Sequence, residues 1–137
     1  MEAAKKQSIS KQSITKQTNK ITAETKSRMQ ELGTYMTAFD TSIERYAELR
    51  VQYDLLKAKW LEDGCVITEE YTNKAGATNN RKTPVYMAME TLRKDILDME
   101  NLFGLTPKGL KQLRAKGLEG KKTSALGEAL KDLTNGL

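Results

Sequence analysis

Few residues in this chain can carry covalent or metal chemistry. Its 137 residues include no histidine and one cysteine, Cys65. That excludes Ser-His-Asp and Cys-His catalysis, a zinc quartet and an intrachain disulfide. Gly120-Lys121-Lys122-Thr123 resembles part of a phosphate loop, but Ala115 stands at the first glycine position and Lys122 where a hydroxyl residue is needed, so nucleotide binding is rejected. Asp95 and Asp98, three apart on one helical side, offer paired carboxylates for a cation, yet on an exposed face they read as ordinary solvated charge. Glu69 and Glu70 are adjacent, and adjacent strand residues point to opposite faces, so they cannot share one metal. Cys65 has no recognisable pKa-lowering setting and reads as packed or incidental. No catalytic residue, metal site or cofactor is assigned, and an enzyme is not expected.

The chemistry that remains is electrostatic. The chain carries 23 basic and 18 acidic residues, a net charge of +5. Residues 1–34 hold seven basic against three acidic side chains, residues 35–103 nine against twelve, and residues 104–137 seven against three. An acidic-leaning body therefore carries two basic ends. Such ends either keep a solvated terminus soluble or contact a polyanion. Under the second reading the phosphate contacts are Lys5, Lys6, Lys11, Lys16, Lys20, Lys26 and Arg28, with Lys108, Lys111 and Arg114 as a second set that Lys116, Lys121 and Lys122 extend.

The first segment repeats with a five-residue period, Lys6-Gln7-Ser8-Ile9-Ser10, Lys11-Gln12-Ser13-Ile14-Thr15 and Lys16-Gln17-Thr18. At about 100° per residue such a period turns by roughly 140° each time, so Ile9 and Ile14 cannot share a narrow helical stripe. Residues 1–34 are expected to form a flexible basic arm that orders on a partner, because Ser, Thr, Gln and Lys bury little apolar area.

Two long helices should follow. Asp40 is placed to cap one running from about Thr41 to Glu62, with Gly64 near its end. Tyr46, Leu49, Tyr53, Leu56 and Trp60 recur at steps of 3, 4, 3 and 4, while Ile43, Ala47, Val51, Leu55 and Ala58 form a second stripe on roughly the opposite side. A helix apolar on two faces needs two neighbours. The next helix, capped by Thr83 with Pro84 at its first position, runs to about Phe103 and has one stripe, Val85, Met89, Leu92, Ile96, Met99 and Phe103. It can cover only one face of its predecessor. The Tyr46, Leu49, Tyr53, Leu56 and Trp60 seam is therefore expected to serve as an oligomer interface, the alternative being that the arm or a short third helix folds over it.

The roughly twenty residues between the helices read as a β-hairpin, with Val66-Ile67-Thr68 and Tyr71-Thr72 of strand composition and the turn at Asn73-Lys74-Ala75-Gly76. After Gly104, Thr106 and Pro107 start a short third helix, with Leu105 and Leu110 spaced as a hydrophobic staple. In residues 118–137, Leu126, Leu130 and Leu133 share one face of a short helical pattern suited either to docking on a partner or to packing on the chain's own core. No apolar run is long enough to span a membrane and no signal segment opens the chain, which predicts a soluble intracellular protein.

The run Phe103-Gly104-Leu105-Thr106-Pro107-Lys108-Gly109-Leu110-Lys111-Gln112-Leu113 at the end of a helical pair resembles a family of small terminase subunits of tailed bacteriophages. The Glu44-Arg45-Tyr46-Ala47 helix with Tyr53, the Asn- and Lys-bearing linker into Pro84 and the Leu92 to Phe103 helix extend the likeness over about residues 37–114. Where that pattern has Asn before the proline and Ser, Ser, Arg after Thr-Pro, this chain has Thr83, Lys108, Gly109 and Leu110. The resemblance implies a non-catalytic packaging factor that assembles into a homo-oligomeric ring, engages double-stranded viral DNA and recruits or regulates a large terminase subunit in the host bacterial cytoplasm.

The expected architecture is thus all-α. An antiparallel long-helix hairpin with a β-hairpin in its connection forms an oligomerisation core at 35–117, flanked by a DNA-binding arm at 1–34 and a partner-docking tail at 118–137. The rival reading is a helical oligomeric interaction module whose basic ends bind another protein or RNA. No base-reading helix is evident in residues 1–34, so any sequence preference would rest on DNA shape.

Overall fold

The computed structural model of the chain describes residues 10–117 and 133–135. Within them the order is α1 (Lys11–Leu32), a single 3-10 turn (Thr37–Phe39), α2 (Asp40–Glu62), β1 (Thr68–Thr72), β2 (Thr78–Lys82), α3 (Pro84–Leu102) and α4 (Pro107–Ala115). The molecule is mostly helical with one small antiparallel sheet.

The main departure from expectation is α1. Residues 11–32 are not a flexible arm; they form a 22-residue helix packed along α2. Ser10 caps it, its Oγ accepting from the Ser13 amide at 3.1 Å. Gly33 ends it at φ 74°, its amide donating to the Gln30 carbonyl at 3.1 Å while the Thr34 amide reaches back to Met29 at 2.9 Å. The inward stripe is Ile14, Thr18, Ile21, Thr25 and Met29, two of them threonines, with the last three buried and the first two half-buried. Each threonine hydroxyl is satisfied inside the helix: Thr18 Oγ1 donates to the Ile14 carbonyl at 2.8 Å and Thr25 Oγ1 to Ile21 at 2.7 Å. With the hydroxyl so paired, burying the rest of the side chain incurs little desolvation cost.

The core has two parts, one on each side of α2. Ile21, Ala47 and Val51, with Ile14 and Leu55 packed against them, join α1 to α2. Met29, Ile43, Tyr46 and Phe103, supported by Tyr35, Phe39, Ile96, Met99 and Leu105, join α1, α2 and the end of α3. The two apolar faces of α2 thus do find two neighbours, and both belong to the same chain.

Asp40 does not cap α2 with its side chain. The helix starts from the preceding 3-10 turn, and the Asp40 carboxylate accepts from the Tyr35 hydroxyl at 2.7 Å and pairs with Lys26 at 3.4 Å. Thr83 caps α3 by accepting from the Tyr86 amide at 3.2 Å, and Thr106 caps α4 by accepting from the Gly109 amide at 3.0 Å. In both helices proline holds the first turn, where its missing N–H is not needed. Contacts at both ends of the α2 and α3 pair set their relation: Tyr46 meets Phe103 edge-on at 5.8 Å, and Trp60 meets Tyr86 at 6.3 Å.

β1 and β2 pair from Thr68 with Lys82 to Thr72 with Thr78. Asn73 organises the turn, its Oδ1 accepting from the amides of Ala75 and Ala77, both at 3.0 Å. The second strand is the polar run Thr78-Asn79-Asn80-Arg81-Lys82, and nearly the whole ribbon is exposed. Trp60 Nε1 donates to the Val66 carbonyl at 3.0 Å and the Thr83 amide to Ile67 at 2.9 Å, tying the base of the ribbon to the helices.

Candidate nucleic-acid interface

The basic residues separate by helix face. On α1, Lys16 and Lys20 lie one turn apart on the side away from the Ile14, Thr18, Ile21 and Thr25 stripe, and both are exposed. Lys11 is exposed near the helix start, beside a shallow depression that it lines with Gln12, Thr15, Lys16 and Asn19. Lys26 is half-buried and committed to Asp40. Arg28 is exposed and turns toward α2 and α3. The five cations of this helix are therefore not one patch.

The other basic surface is more uniform. Residues 107–117 carry Lys108, Lys111, Arg114 and Lys116 and no acidic residue, and all four side chains are exposed. Helix α4 carries the first three on its nine residues, with Lys116 at its C-cap, and is held against the end of α3. This concentration of positive charge attracts a polyanion over a Debye length and steers it toward the surface.

A third cluster is one that periodicity did not single out. Arg28 of α1, Arg50 of α2 and Arg93 of α3 line a cleft of about 350 Å³ together with Tyr53, Asp54 and Glu100. The Arg50 guanidinium lies 5.8 Å from the Tyr46 ring centre and that of Arg93 5.6 Å from Tyr86, both within cation–π range. Tyr46 donates its hydroxyl to Glu100 at 3.1 Å. Burial, reinforced by the neighbouring Glu100 carboxylate, pushes the Tyr46 phenol up to about 12. Arg50 stands outside both apolar stripes of α2, and nothing in helical spacing says that three helices will bring these arginines together.

The seam expected to serve as an oligomer interface is partly covered within the chain. Tyr46 is only 2% exposed, enclosed by Met29, Ile43 and Phe103, and is not available to another subunit. Leu49, Tyr53, Leu56 and Trp60 are half-buried. α3 lies on this seam and α1 on the opposite stripe, because the segment read as an arm supplies the second neighbour that α2 requires.

Among the described residues, no group of three or more His, Cys, Asp or Glu could hold a metal. Glu69 is engaged by Arg81 at 3.0 Å, and the Arg81 guanidinium also lies 3.9 Å from the Tyr71 ring centre. Cys65 is exposed and adopts φ 61° just after Gly64. Lys5, Lys6, Lys121, Lys122, Leu126 and Leu130 lie outside the described residues. Leu133 sits in the helical turn 133–135 and is 68% exposed. No helix among the described residues is long and apolar enough to cross a membrane.

No curated protein and no solved structure matches the chain. The family model described as phage terminase, small subunit, matches residues 20–119, from the middle of α1 through α4. That span is well over half of the sequence and includes both halves of the core, the β-ribbon and the Gly-Leu-Thr-Pro turn. The chain belongs to the phage terminase small-subunit family.

Proposed function

We propose that the protein is a non-catalytic DNA-recognition factor that binds double-stranded viral DNA in the host bacterial cytoplasm and recruits or regulates the large terminase subunit during genome packaging. The family match over residues 20–119 carries this reading. Two surface features support it. Lys108, Lys111, Arg114 and Lys116 gather without an acid among them, and Lys16 and Lys20 form an outward ridge on α1. Contacts of this kind neutralise phosphates and position a duplex without reading bases.

Assembly into a ring is part of the proposal. A chain this small buries a modest share of its surface, so association stabilises it, and a head-to-tail contact whose rotation closes gives a ring. Tyr46 is too enclosed to take part in that contact; the half-buried Leu49, Tyr53, Leu56 and Trp60 offer apolar material to it, as do the exposed Leu61, Val66, Ile67, Met87, Leu97 and Leu102. A ring multiplies weak phosphate contacts by effective concentration. Docking of the large subunit on the face bearing Leu126, Leu130 and Leu133 completes the reading.

The test combines three measurements on the full chain. Native mass should exceed that of a dimer, duplex DNA should be retained at low salt, and a large terminase subunit's ATPase should change when the chain is added. A monomer at high concentration that retains no DNA and leaves the ATPase unaltered would refute the proposal.

A further inference from the structure

We propose that the cleft between α1, α2 and α3 is a phosphate site in which Arg28, Arg50 and Arg93 hold one phosphodiester of the DNA backbone. The inference rests on the DNA-binding reading above and adds to it a site that lies on neither basic ridge.

Three observations lead there. First, three guanidiniums from three different helices line one cleft, where they face two carboxylates, Asp54 and Glu100. One of those, Glu100, already accepts the Tyr46 hydroxyl. The ion pairs within 4.0 Å among the described residues join Lys26 to Asp40, Lys59 to Asp63, Arg81 to Glu69 and Lys82 to Glu90, and none uses these arginines. The cleft thus gathers three cations against two acids that form no ion pair with them, and an incoming anion meets a surplus of positive charge.

Second, two of the three guanidiniums are held in place. Arg50 lies over Tyr46 and Arg93 over Tyr86, so less side-chain freedom is lost when an anion arrives. The planar fork of arginine matches two oxygens of a phosphate at once, and the Tyr53 hydroxyl at the same wall can add a further donor. A volume of about 350 Å³ lies at the small end of ligand pockets, roughly 300–1,000 Å³.

Third, the cleft lies along the same helix as the outward lysines. Arg28 follows Lys20 by eight residues, about 12 Å along the axis of α1. That distance falls well within one turn of duplex, about 34 Å. Around the helix Arg28 is turned about 80–120° from Lys20 and Lys16, so the cleft is a separate contact that a duplex reaches on the flank of α1 and not a continuation of the lysine ridge.

The same oxyanion chemistry could come from a duplex backbone or from a free phosphate, and the experiment separates them. Duplex binding by the full chain is followed by fluorescence anisotropy across a salt series for the natural sequence, for the combined Arg28→Gln, Arg50→Gln, Arg93→Gln variant and for the corresponding triple lysine variant, each checked for helical content. The glutamine variant should bind about tenfold more weakly at low salt, and its log-log salt slope should fall by about 0.9, the contribution of one phosphate. The lysine variant should keep the slope and lose part of the affinity, because it keeps charge but not the fork.

A second measurement needs no variant. The arginine Nε resonances of the isotope-labelled natural protein are followed on adding a short duplex, and separately inorganic phosphate. Movement of the three resonances with duplex is the expected result. If the natural protein binds duplex and the folded glutamine variant binds it equally, the cleft assignment is overturned while the DNA-binding reading stands. If the natural protein binds no duplex, that reading fails; resonances moved by inorganic phosphate alone would then reassign the cleft to free phosphate, and unmoved resonances would remove the site altogether. Movement with a Glu-rich peptide but with neither phosphate source would assign it to protein carboxylates and overturn the proposal.

Discussion

Gly109 in α4 and Asn101 near the end of α3 approach so closely that a Cβ placed on the glycine would lie 2.1 Å from the Asn101 carbonyl oxygen and 2.7 Å from its Cα. The Asn101 side chain meanwhile accepts the Thr106 hydroxyl, and Thr106 in turn accepts from the Gly109 amide at 3.0 Å. This small network fixes the angle at which the basic helix leaves the core, so the placement of Lys108, Lys111 and Arg114 depends on a residue with no side chain.

Gly109→Ala should therefore destabilise the protein by about 2–3 kcal/mol, because the obstacle is backbone that cannot rotate away. Urea unfolding followed by circular dichroism reads the effect. Thr106→Ala, which removes only the cap, should lose about 1 kcal/mol. A Gly109→Ala protein as stable as its parent would show that α4 can tilt off α3 without cost.

Because Met29 joins the core with Tyr46 and Phe103 and has no exposure, Met29→Ala should cost about 2–5 kcal/mol in the same assay. Truncation sharpens the point. A chain lacking residues 1–9 keeps the Ser10 cap and provides the reference midpoint. Removing residues 1–28 strips Ile14 and Ile21 from Ala47 and Val51, and should leave a protein that unfolds at much lower denaturant. Equal midpoints for the two truncations would mean that α1 contributes nothing to the fold.

Tyr46 makes a prediction in alkali. Its phenol ionises at about 12 in the fold against an ordinary 10.0, chiefly through burial and secondly through Glu100. Below pH 10 the group is neutral in both folded and unfolded chains, so the stability linked to the shift is fully present there. Above pH 10 the unfolded chain releases its proton first, and stability should decline as pH rises toward about 12. In a near-ultraviolet phenolate titration, Tyr46→Phe should remove a late-ionising phenol, and the variant's unfolding should depend less on pH in that window. A titration curve that loses an ordinary tyrosine instead would contradict the buried position.

The stripes of α2 and α3, the Thr83-Pro84 and Thr106-Pro107 starts and the Asn73 turn were all legible in the sequence, because each is a local pattern with one physical meaning. α1 was not, for a reason visible in its side chains. Its inward row steps 14, 18, 21, 25, 29, an ordinary helical spacing, but Thr18 and Thr25 occupy two of the five places. Counted as polar they leave only Ile14, Ile21 and Met29, and the repeated Lys-Gln-Ser motif then dominates the reading. Their hydroxyls close on carbonyls four residues back, which no hydropathy value anticipates. A flexible α1 would leave α2 one neighbour short, which is why the sequence points the surplus face of α2 toward another subunit. The arginine cleft was hidden differently: Arg28, Arg50 and Arg93 are far apart in sequence and unite only when three helices pack.

Lys16 and Lys20 give the most direct test of the basic ridge on α1. They are exposed, sit one turn apart and take no part in the core, so Lys16→Gln with Lys20→Gln should leave the unfolding midpoint unchanged. Each lysine that neutralises a phosphate contributes about 0.9 to the slope of log affinity against log salt, so the double variant should lose close to 1.8 from the slope for a single chain on duplex. Glu24, one turn beyond Lys20, provides the opposite probe, since Glu24→Gln removes a repulsive charge and should strengthen binding at low salt. If neither change alters DNA retention while α4 variants at Lys108 and Lys111 abolish it, the duplex lies across the α4 end of the molecule and α1 serves the fold alone.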